Sequence, residues 1–213
     1  MHIFSMRFKT LCLYCSLRYI IINTPRSSMW DTGINLLYGV SMVESDVFID
    51  GMHLQHVIDS LGIKGVDYEK LSDKLANDSR SRTYFFDALP LKENKDNKQK
   101  FLSKLSYLKS FQVELGYVKM EGRTCPNCEG VVNIPRQKKV DVLLATRLIE
   151  RSLETKRLVL IAGDADFVPA IEVAKRKAKI VLAFLPGITA HQLIQAADEK
   201  IELSAAYFSD CKR

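Results

Sequence analysis

The chain has 213 residues, of which 47% are apolar and 26% are charged, which is typical of one globular domain with a buried core. The formal net charge of +6 favours an anionic partner such as nucleic acid, although Lys and Arg are spread along the chain. Five cysteines argue against a disulfide-stapled secreted protein, and no uninterrupted apolar stretch reaches the ~20 residues of a membrane helix, so we expect a cytoplasmic protein.

The N-terminal segment differs from the rest of the chain. Residues 1–45 lack a sustained period of 2 or 3.6, and they contain Pro25 and the chain's only tryptophan, Trp30. We interpret them as a leader that is either poorly ordered or not translated, with Met42 as the alternative start. The expected domain is 46–204, followed by a C-terminal tail over 205–213.

From Asp46 onwards, apolar runs alternate with amphipathic stretches. The first half predicts, in order, strand Asp46–Asp50, a helical stretch from Gly51, helix Tyr68–Ala76 with Asp67 as N-cap, strand Arg82–Leu89, helix Lys98–Leu115 closed by Gly116, and strand Tyr117–Met120. After an irregular insert near 122–137, the second half predicts helix Val140–Leu153, strand Arg157–Ala162, helix Asp166–Lys177, strand Lys179–Leu185, helix Ala190–Ala197 and edge strand Lys200–Ser204. This alternation predicts an α/β fold with three layers, α/β/α, around a mostly parallel central sheet.

Four aspartates lie where predicted strands end or helices begin. Asp50 closes the first strand, Asp164 and Asp166 follow the strand Arg157–Ala162, and Asp141 lies in the first turn of a helix. Ligands of open α/β sheets bind beyond the carboxyl ends of the strands, where strand order reverses. If the two strands are neighbours there, the four carboxylates converge and need a balancing cation. Mg²⁺ or Mn²⁺ fits such oxygen ligands and fits phosphodiester hydrolysis.

Each aspartate also has a local interpretation. Asp50 before a glycine is a normal turn residue, Asp141 is a favourable charge at a helix start, and Asp166 is a normal N-cap. Asp164 is the hardest to explain in this way. Joint placement at one crevice favours the functional interpretation.

Three stretches together resemble a known family. They are VFIDGMHL at Val47–Leu54, KKVDVLLATRLI at Lys138–Ile149 and VLIAGDADFVPAI at Val159–Ile171. The chain over about 46–204 thereby resembles the NYN domain, a branch of the PIN-like nuclease superfamily, and is similar within it to the LabA-like group. The resemblance implies a PIN-type fold and metal ligands at Asp50, Asp141, Asp164 and Asp166.

The sequence departs from the family pattern at two positions. His53 stands where the family commonly has Asn, and Ala162 stands where it commonly has Ser. His53 either contacts phosphate or orients a water, and then belongs to the nucleic-acid-binding set, or it is a satisfied polar residue at a helix start. These changes leave every carboxylate in place but bear on the rate and the substrate.

Two functions follow from the carboxylates and the resemblance. The first is a metal-dependent nuclease, specifically a ribonuclease with Mg or Mn as its cofactor. The second is a weakly catalytic or non-catalytic RNA-binding regulatory protein of the LabA-like type. A haloacid-dehalogenase-like phosphatase is excluded, because it needs a second Asp two residues after the nucleophile, and Asp50 is followed by Gly51 and Met52.

The segment CPNCEG at Cys125–Gly130 has the shape of a zinc knuckle, but it supplies only half of a four-ligand site. Three interpretations stay open. The site is shared across a homodimer, it is completed by Cys12 and Cys15 of the leader, or the segment is a metal-free turn.

Basic residues flank this insert and the helix that follows it. They are Lys119, Arg123, Arg136, Lys138, Lys139 and Arg147. We expect Arg136, Lys138, Lys139 and Arg147 to form a phosphate-binding rim beside Asp141. A solvated basic surface is the alternative interpretation.

Overall fold

The computed structural model describes residues 44–91 and 95–212. The interpretation of the leader, including Cys12, Cys15, Trp30 and the alternative start at Met42, falls outside these residues. Within them, the chain forms seven strands and six α-helices. No helix in this part of the chain is long and apolar enough to cross a membrane.

The elements alternate along the chain. The strands are β1 Ser45–Asp50, β2 Arg80–Leu89, β3 Phe111–Thr124, β4 Val131–Lys138, β5 Arg157–Ile161, β6 Lys179–Phe184 and β7 Glu199–Glu202. The α-helices are α1 Gly51–Ser60, α2 Tyr68–Leu75, α3 Lys95–Ser106, α4 Val140–Ser152, α5 Val168–Ala174 and α6 His191–Ala196, and single 3₁₀ turns lie at Ala165–Phe167 and Ser209–Cys211. The predicted α/β class is confirmed.

The seven strands form one sheet in the order β4-β3-β2-β1-β5-β6-β7. Every neighbouring pair is parallel except β3 and β4, which are antiparallel. The chain adds strands on one side of β1 and then crosses to β5 on its other side. Strand order therefore reverses between β1 and β5, so the condition under which the sequence predicts that the carboxylates converge is met.

Side chains of the sheet enter two separate apolar clusters. On β1, Phe48 belongs to one cluster, whereas Val47 and Ile49 belong to the other, as the period of two requires. The first cluster is completed by helices α4, α5 and α6, through Leu144, Ile171 and Leu193 among others. The second is completed by helices α1, α2 and α3, through Leu54, Leu71 and Leu105 among others. Each cluster thus joins side chains of the central strands to the apolar residues of three helices.

The segment set apart as a C-terminal tail, 205–213, is described up to residue 212 and packs on the second cluster. Phe208 and Cys211 are buried there. The backbone N–H of Asp67 donates to the carbonyl oxygen of Cys211 at 2.7 Å, and Val66 forms a bridge with Lys212. These residues contribute to the apolar core.

The predicted helix Lys98–Leu115 is wrong in its second half. Helix α3 ends at Ser106, and the chain turns through Ser110, which has a positive φ of 60°, into β3 at Phe111. Residues Phe111–Tyr117 pair with β2, whose side chains at the centre of the sheet are buried. The backbone of β2 needs a hydrogen-bonding neighbour on this side, and that tertiary requirement overrides the helical spacing of the apolar residues.

The predicted irregular insert near 122–137 is a regular antiparallel ribbon with a turn at its tip. We call the ribbon Tyr117–Thr124 together with Val131–Lys138, which pair with each other throughout. Strand β2 ends its pairing at Tyr117, so beyond that residue β3 is bonded only to β4. Most ribbon side chains are exposed or half-buried.

Candidate active site

A cleft of about 840 Å³ opens at the carboxyl ends of β1, β5 and β6, beside the point where strand order reverses. Four parts of the chain line it. They are Asp50, Met52, His53 and His56 from the end of β1 and α1, Ile134, Pro135, Arg136 and Gln137 from β4 with Asp141 from α4, Gly163, Asp164 and Ala165 after β5, and Gly187, Ile188, Thr189 and Ala190 after β6. The sheet topology therefore places three of the four predicted aspartates in one cavity.

Asp50 is the last residue of β1 and the N-cap of α1. Its Oδ1 accepts hydrogen bonds from the backbone N–H groups of Met52 at 3.0 Å and His53 at 3.2 Å. Burial raises the pKa of Asp50 from 3.8 to about 6; the two backbone hydrogen bonds oppose the rise, and the charges of Asp141 and Asp87 add to it. Asp50 thus serves as a cap, but its negative charge is poorly balanced by the protein.

Asp141 and Asp164 are both exposed and line the cleft. Asp141 lies in the first turn of α4, and its pKa is raised first by burial and then by the charges of Asp164 and Asp166. Asp164 caps the turn Ala165–Phe167, since its Oδ1 accepts from the N–H of Asp166 at 3.0 Å. Asp166 is close enough for its charge to act on Asp141, but it does not line the cleft.

The carboxylates of the cleft provide only some of the ligands that a hard divalent cation needs. Among residues 44–91 and 95–212, no three His, Cys, Asp or Glu side chains are close enough together to hold one ion. Mg²⁺ normally binds one or two protein carboxylates and completes its shell with waters and substrate phosphate. Carboxylates that raise one another's pKa are stabilised by a cation between them. The residues therefore fit an ion held by two of these carboxylates rather than by four.

A fifth carboxylate, which the sequence interpretation missed, lies beside Asp50. Asp87 is buried near the carboxyl end of β2, and Lys98 Nζ lies 2.5 Å from its Oδ2 without the alignment of a hydrogen bond. Gly51 leaves room for the Asp87 carboxylate, because a Cβ at position 51 would lie 2.7 Å from Asp87 Oδ2. Asp87 does not line the cleft, and its effect on Asp50 is electrostatic. Its position at a strand end was the signal available in the sequence.

His53 lies beneath the loop that carries Asp164. The side chain is 7% exposed, and its Nε2 is 3.4 Å from Oγ1 of Thr189. Burial lowers the pKa of His53 to about 4, with a smaller contribution from His56, so the ring is neutral at pH 7. Gly163 packs against the ring so closely that a Cβ there would lie 2.2 Å from Nδ1. This environment favours the satisfied polar residue over a cationic phosphate contact.

Arg136 is the predicted basic residue that lines the cleft. It is exposed on β4, and no carboxylate of the described residues lies within ion-pair distance of it. Its guanidinium is therefore available to a phosphate at the cleft wall.

The other three predicted basic residues have partners within the chain. Lys138 Nζ lies 2.7 Å from Glu121 Oε1, and Lys139 Nζ lies 5.5 Å from the ring centroid of Tyr117. The third, Arg147, forms ion pairs with Glu114 at 2.8 Å and with Glu150 at 2.6 Å. None of the three lines the cleft.

Cys125 and Cys128 lie in the turn that joins β3 to β4, away from the cleft. Both are free thiols; Cys125 is half-buried and Cys128 exposed. Backbone N–H groups of Asn127 and Cys128 lower the pKa of Cys125. The described residues bring no third ligand to the pair.

Comparison with known proteins identifies the family. The family model of the NYN domain matches residues 45–204. The chain therefore belongs to the NYN domain family, a nuclease-type family of the PIN-like class, and the resemblance to the NYN domain seen in the sequence is confirmed. A search of curated proteins finds no significant match.

Solved structures support the fold. The chain is similar to the crystal structure of a protein of unknown function from Vibrio parahaemolyticus RIMD 2210633, with a TM-score of 0.56 and 16% identity. The match covers 79% of this chain and 97% of the other. At this identity the likeness concerns the fold alone.

Proposed function

We propose that this protein is a metal-dependent nuclease that hydrolyses phosphodiester bonds in RNA. The observation that carries the proposal is the convergence of Asp50, Asp141 and Asp164 on one cleft where strand order reverses. Membership in a nuclease-type family supports it, and the PIN-type three-layer arrangement is the fold expected to accompany it. The unbalanced charge of Asp50 and Asp141 supports a role for Mg²⁺ or Mn²⁺.

Asp50, Asp141 and Asp164 are the proposed metal-holding residues, with any one ion held by two of them, and Asp166 supports them through its charge. When bound, Mg²⁺ or Mn²⁺ would polarise the phosphate of the substrate and lower the pKa of a bound water molecule. Asp50 is fixed by its two backbone hydrogen bonds, and Asp164 is fixed by the bond from Asp166. The protein thereby holds two of the carboxylates in place before any ligand arrives.

Arg136 is the proposed phosphate contact on the cleft wall, with Lys138 and Lys139 contributing to the field nearby. Ile134, Pro135 and Met52 give the same cavity an apolar lining. The volume of about 840 Å³ is that of a site for a small ligand, which suits a short stretch of single strand better than a duplex. Single-stranded RNA is therefore the substrate that we propose.

The test compares the full-length chain with two variants at one carboxylate, Asp164→Asn and Asp164→Ala. We expect the unmodified chain to cleave single-stranded RNA only when Mn²⁺ or Mg²⁺ is present. Both variants should lose cleavage and lose the rise in melting temperature that Mn²⁺ gives, while the metal-free Asp164→Asn protein stays as stable as before or becomes more stable.

The matched control is Asp67→Asn. Asp67 caps α2 through the N–H groups of Glu69 and Lys70, as Asp164 caps its own turn, but it lies outside the cleft. This variant should cleave like the unmodified chain. If both Asp164 variants melt well below the parent and still cleave, Asp164 is structural and the proposed site is wrong.

A second function is favoured by one specific observation. Because no three candidate ligands of the described residues approach closely enough to hold one ion, the chain also fits an RNA-binding regulatory protein with little or no turnover. Its signature would be salt-dependent RNA binding through Arg136 without cleavage at any metal concentration. The cleavage assay above separates the two functions.

A further inference from the structure

The ribbon extends past the body of the sheet and is supported by few other contacts. Its pairs run from Tyr117 with Lys138 to Thr124 with Val131, and β2 reaches only the first of them. At the distal end Val131 is 71% exposed and Val132 is 54% exposed. An isolated two-stranded ribbon is at best marginally stable in water, so an additional constraint at the exposed end would stabilise the ribbon.

The turn at the tip is organised around Cys125. The N–H of Cys125 donates to the carbonyl oxygen of Gly130 at 2.8 Å, and the N–H of Glu129 donates to the carbonyl oxygen of Cys125 at 2.9 Å. The backbone N–H groups of Asn127 and Cys128 and the thiol of Cys128 lie close enough to the thiol of Cys125 to lower its pKa. The tight turn therefore brings the two thiols near each other.

Glu129 shows that this geometry is maintained at a cost. Its φ of 56° lies in the left-handed region that non-glycine residues rarely adopt. A strained residue persists where its surroundings fix it, and such residues cluster at ligand sites. The turn therefore has a defined backbone geometry next to the two thiols.

The described part of the chain offers this pair no further ligands. Its third cysteine, Cys211, is buried in the core beside Phe208. No third His, Cys, Asp or Glu side chain of the described residues joins Cys125 and Cys128 in a group that could hold a metal. Structural zinc is bound by four ligands in a tetrahedron, so two of them must come from elsewhere.

We propose that Cys125 and Cys128 of two copies of this chain bind one Zn²⁺ between them and thereby join two ribbons into a homodimer. A two-fold axis through the ion supplies four equivalent thiolates from two identical turns. The tips lie beyond the strands that belong to the sheet body, so two copies can meet there with their bodies apart. Val131 and Val132 flank each tip and become covered when the tips meet.

The chemistry of binding is an exchange of protons for a metal ion. The four thiols release their protons to solvent as the sulfurs coordinate Zn²⁺, so binding weakens as the pH falls. No oxidant or reductant is required. The zinc site is independent of the proposed nuclease cleft, and either proposal can fail alone.

The experiment uses the full-length chain under reducing conditions, with Zn²⁺ as the only added ligand. Light scattering after size exclusion measures the mass, and elemental analysis measures zinc per chain. We expect a dimer that contains one zinc per two chains and that dissociates when a chelator removes the metal. Co²⁺ in place of Zn²⁺ should give the thiolate charge-transfer intensity of four sulfur ligands per ion.

Two paired variants make the test decisive. Cys125→Ser with Cys128→Ser should be a zinc-free monomer with the unchanged circular dichroism of the folded domain. Cys12→Ser with Cys15→Ser should keep both the zinc and the dimer. One zinc per monomer, loss of zinc from the Cys12 and Cys15 variant, a dimer that survives loss of Cys125 and Cys128, or no zinc in the unmodified chain would each overturn the proposal.

Discussion

Asp50 and Asp141 lie on the same cleft, and the negative charge of Asp141 helps to raise the pKa of Asp50. The folded-state pKa of about 6 exceeds the ordinary value of 3.8, so the metal-free fold binds this proton more tightly than the unfolded chain does. This tighter proton binding stabilises the fold at low pH, and the stabilisation is lost as the pH rises through the folded-state pKa of Asp50.

We therefore predict that Asp50→Asn raises the free energy of unfolding of the metal-free protein at pH 8. Asn keeps the cap of α1 but removes the charge, and a shift of two pKa units corresponds to a gain of up to roughly 3 kcal/mol. The gain should narrow as the pH falls towards about 4. Urea unfolding with a chelator present measures it. Asp67→Asn, which caps α2 away from the cleft, should show no such pH-dependent gain.

Arg136→Ala should weaken binding of single-stranded RNA and lower the slope of log affinity against log salt by about one unit. The reason is that the Arg136 guanidinium lines the cleft without an ion-pair partner among the described residues. Lys179→Ala is the matched control, because Lys179 pairs with Glu199 and begins β6, at the opposite end of the sheet. If both variants keep the parental slope in this titration, Arg136 does not contact the phosphates of the RNA.

Gly163→Ala should destabilise the protein by about 1–3 kcal/mol, as overpacking in a buried site does. The added Cβ would stand 2.2 Å from Nδ1 of His53, so the ring or the loop of Asp164 must move. Combining the change with His53→Ala should remove most of this penalty, which a double-mutant cycle of melting temperatures measures. Strictly additive losses would show that the two residues do not compete for the same space.

Arg151→Met should cost about 3–5 kcal/mol, because it leaves a buried charge without its partner. Asp46 is fully buried at the start of β1, and its Oδ2 accepts from Arg151 Nε at 2.7 Å and from Thr155 Oγ1 at 2.8 Å. Adding Asp46→Leu should restore much of the loss. Arg147→Met, whose partner Glu114 is nearer to solvent, is the control and should cost less in the same urea titration.

Strands β1, β5 and β6 could be predicted from the sequence to within one residue, and β2 to within two. Strands β1, β5 and β6 are buried on both faces, so they appear as short apolar runs bounded by Gly, Asp or a charged residue. Strand β3 was predicted only over Tyr117–Met120. Its first residues were missed, because Phe111 and Leu115 continue the helical spacing of α3 and only pairing with β2 makes them a strand. Most of the ribbon was missed for a different reason. Its side chains are mostly exposed and lack the apolar alternation that predicts a strand.

The candidate site was predictable where it depended on strand ends. Asp50 ends β1 and Asp164 follows β5, and the strand-end rule places them together once these strands are neighbours. The same rule applied to β2 would have found Asp87. Thr189 could not be found in this way, because its loop reaches the cleft only through the position of β6 beside β5. Nor does the sequence show that Lys138 is paired with Glu121, a partner on the opposite strand.

Strand β4 forms one outer edge of the sheet, and Pro135 lies in its middle opposite Met120. A proline has no N–H to donate, so an additional strand cannot bond continuously along this edge. The opposite edge, β7, carries the sequence EKIE, whose charges oppose stacking against a second copy. Neither edge strand therefore favours the addition of strands from further copies of the chain, and we expect the protein not to form fibres in this way even at high concentration.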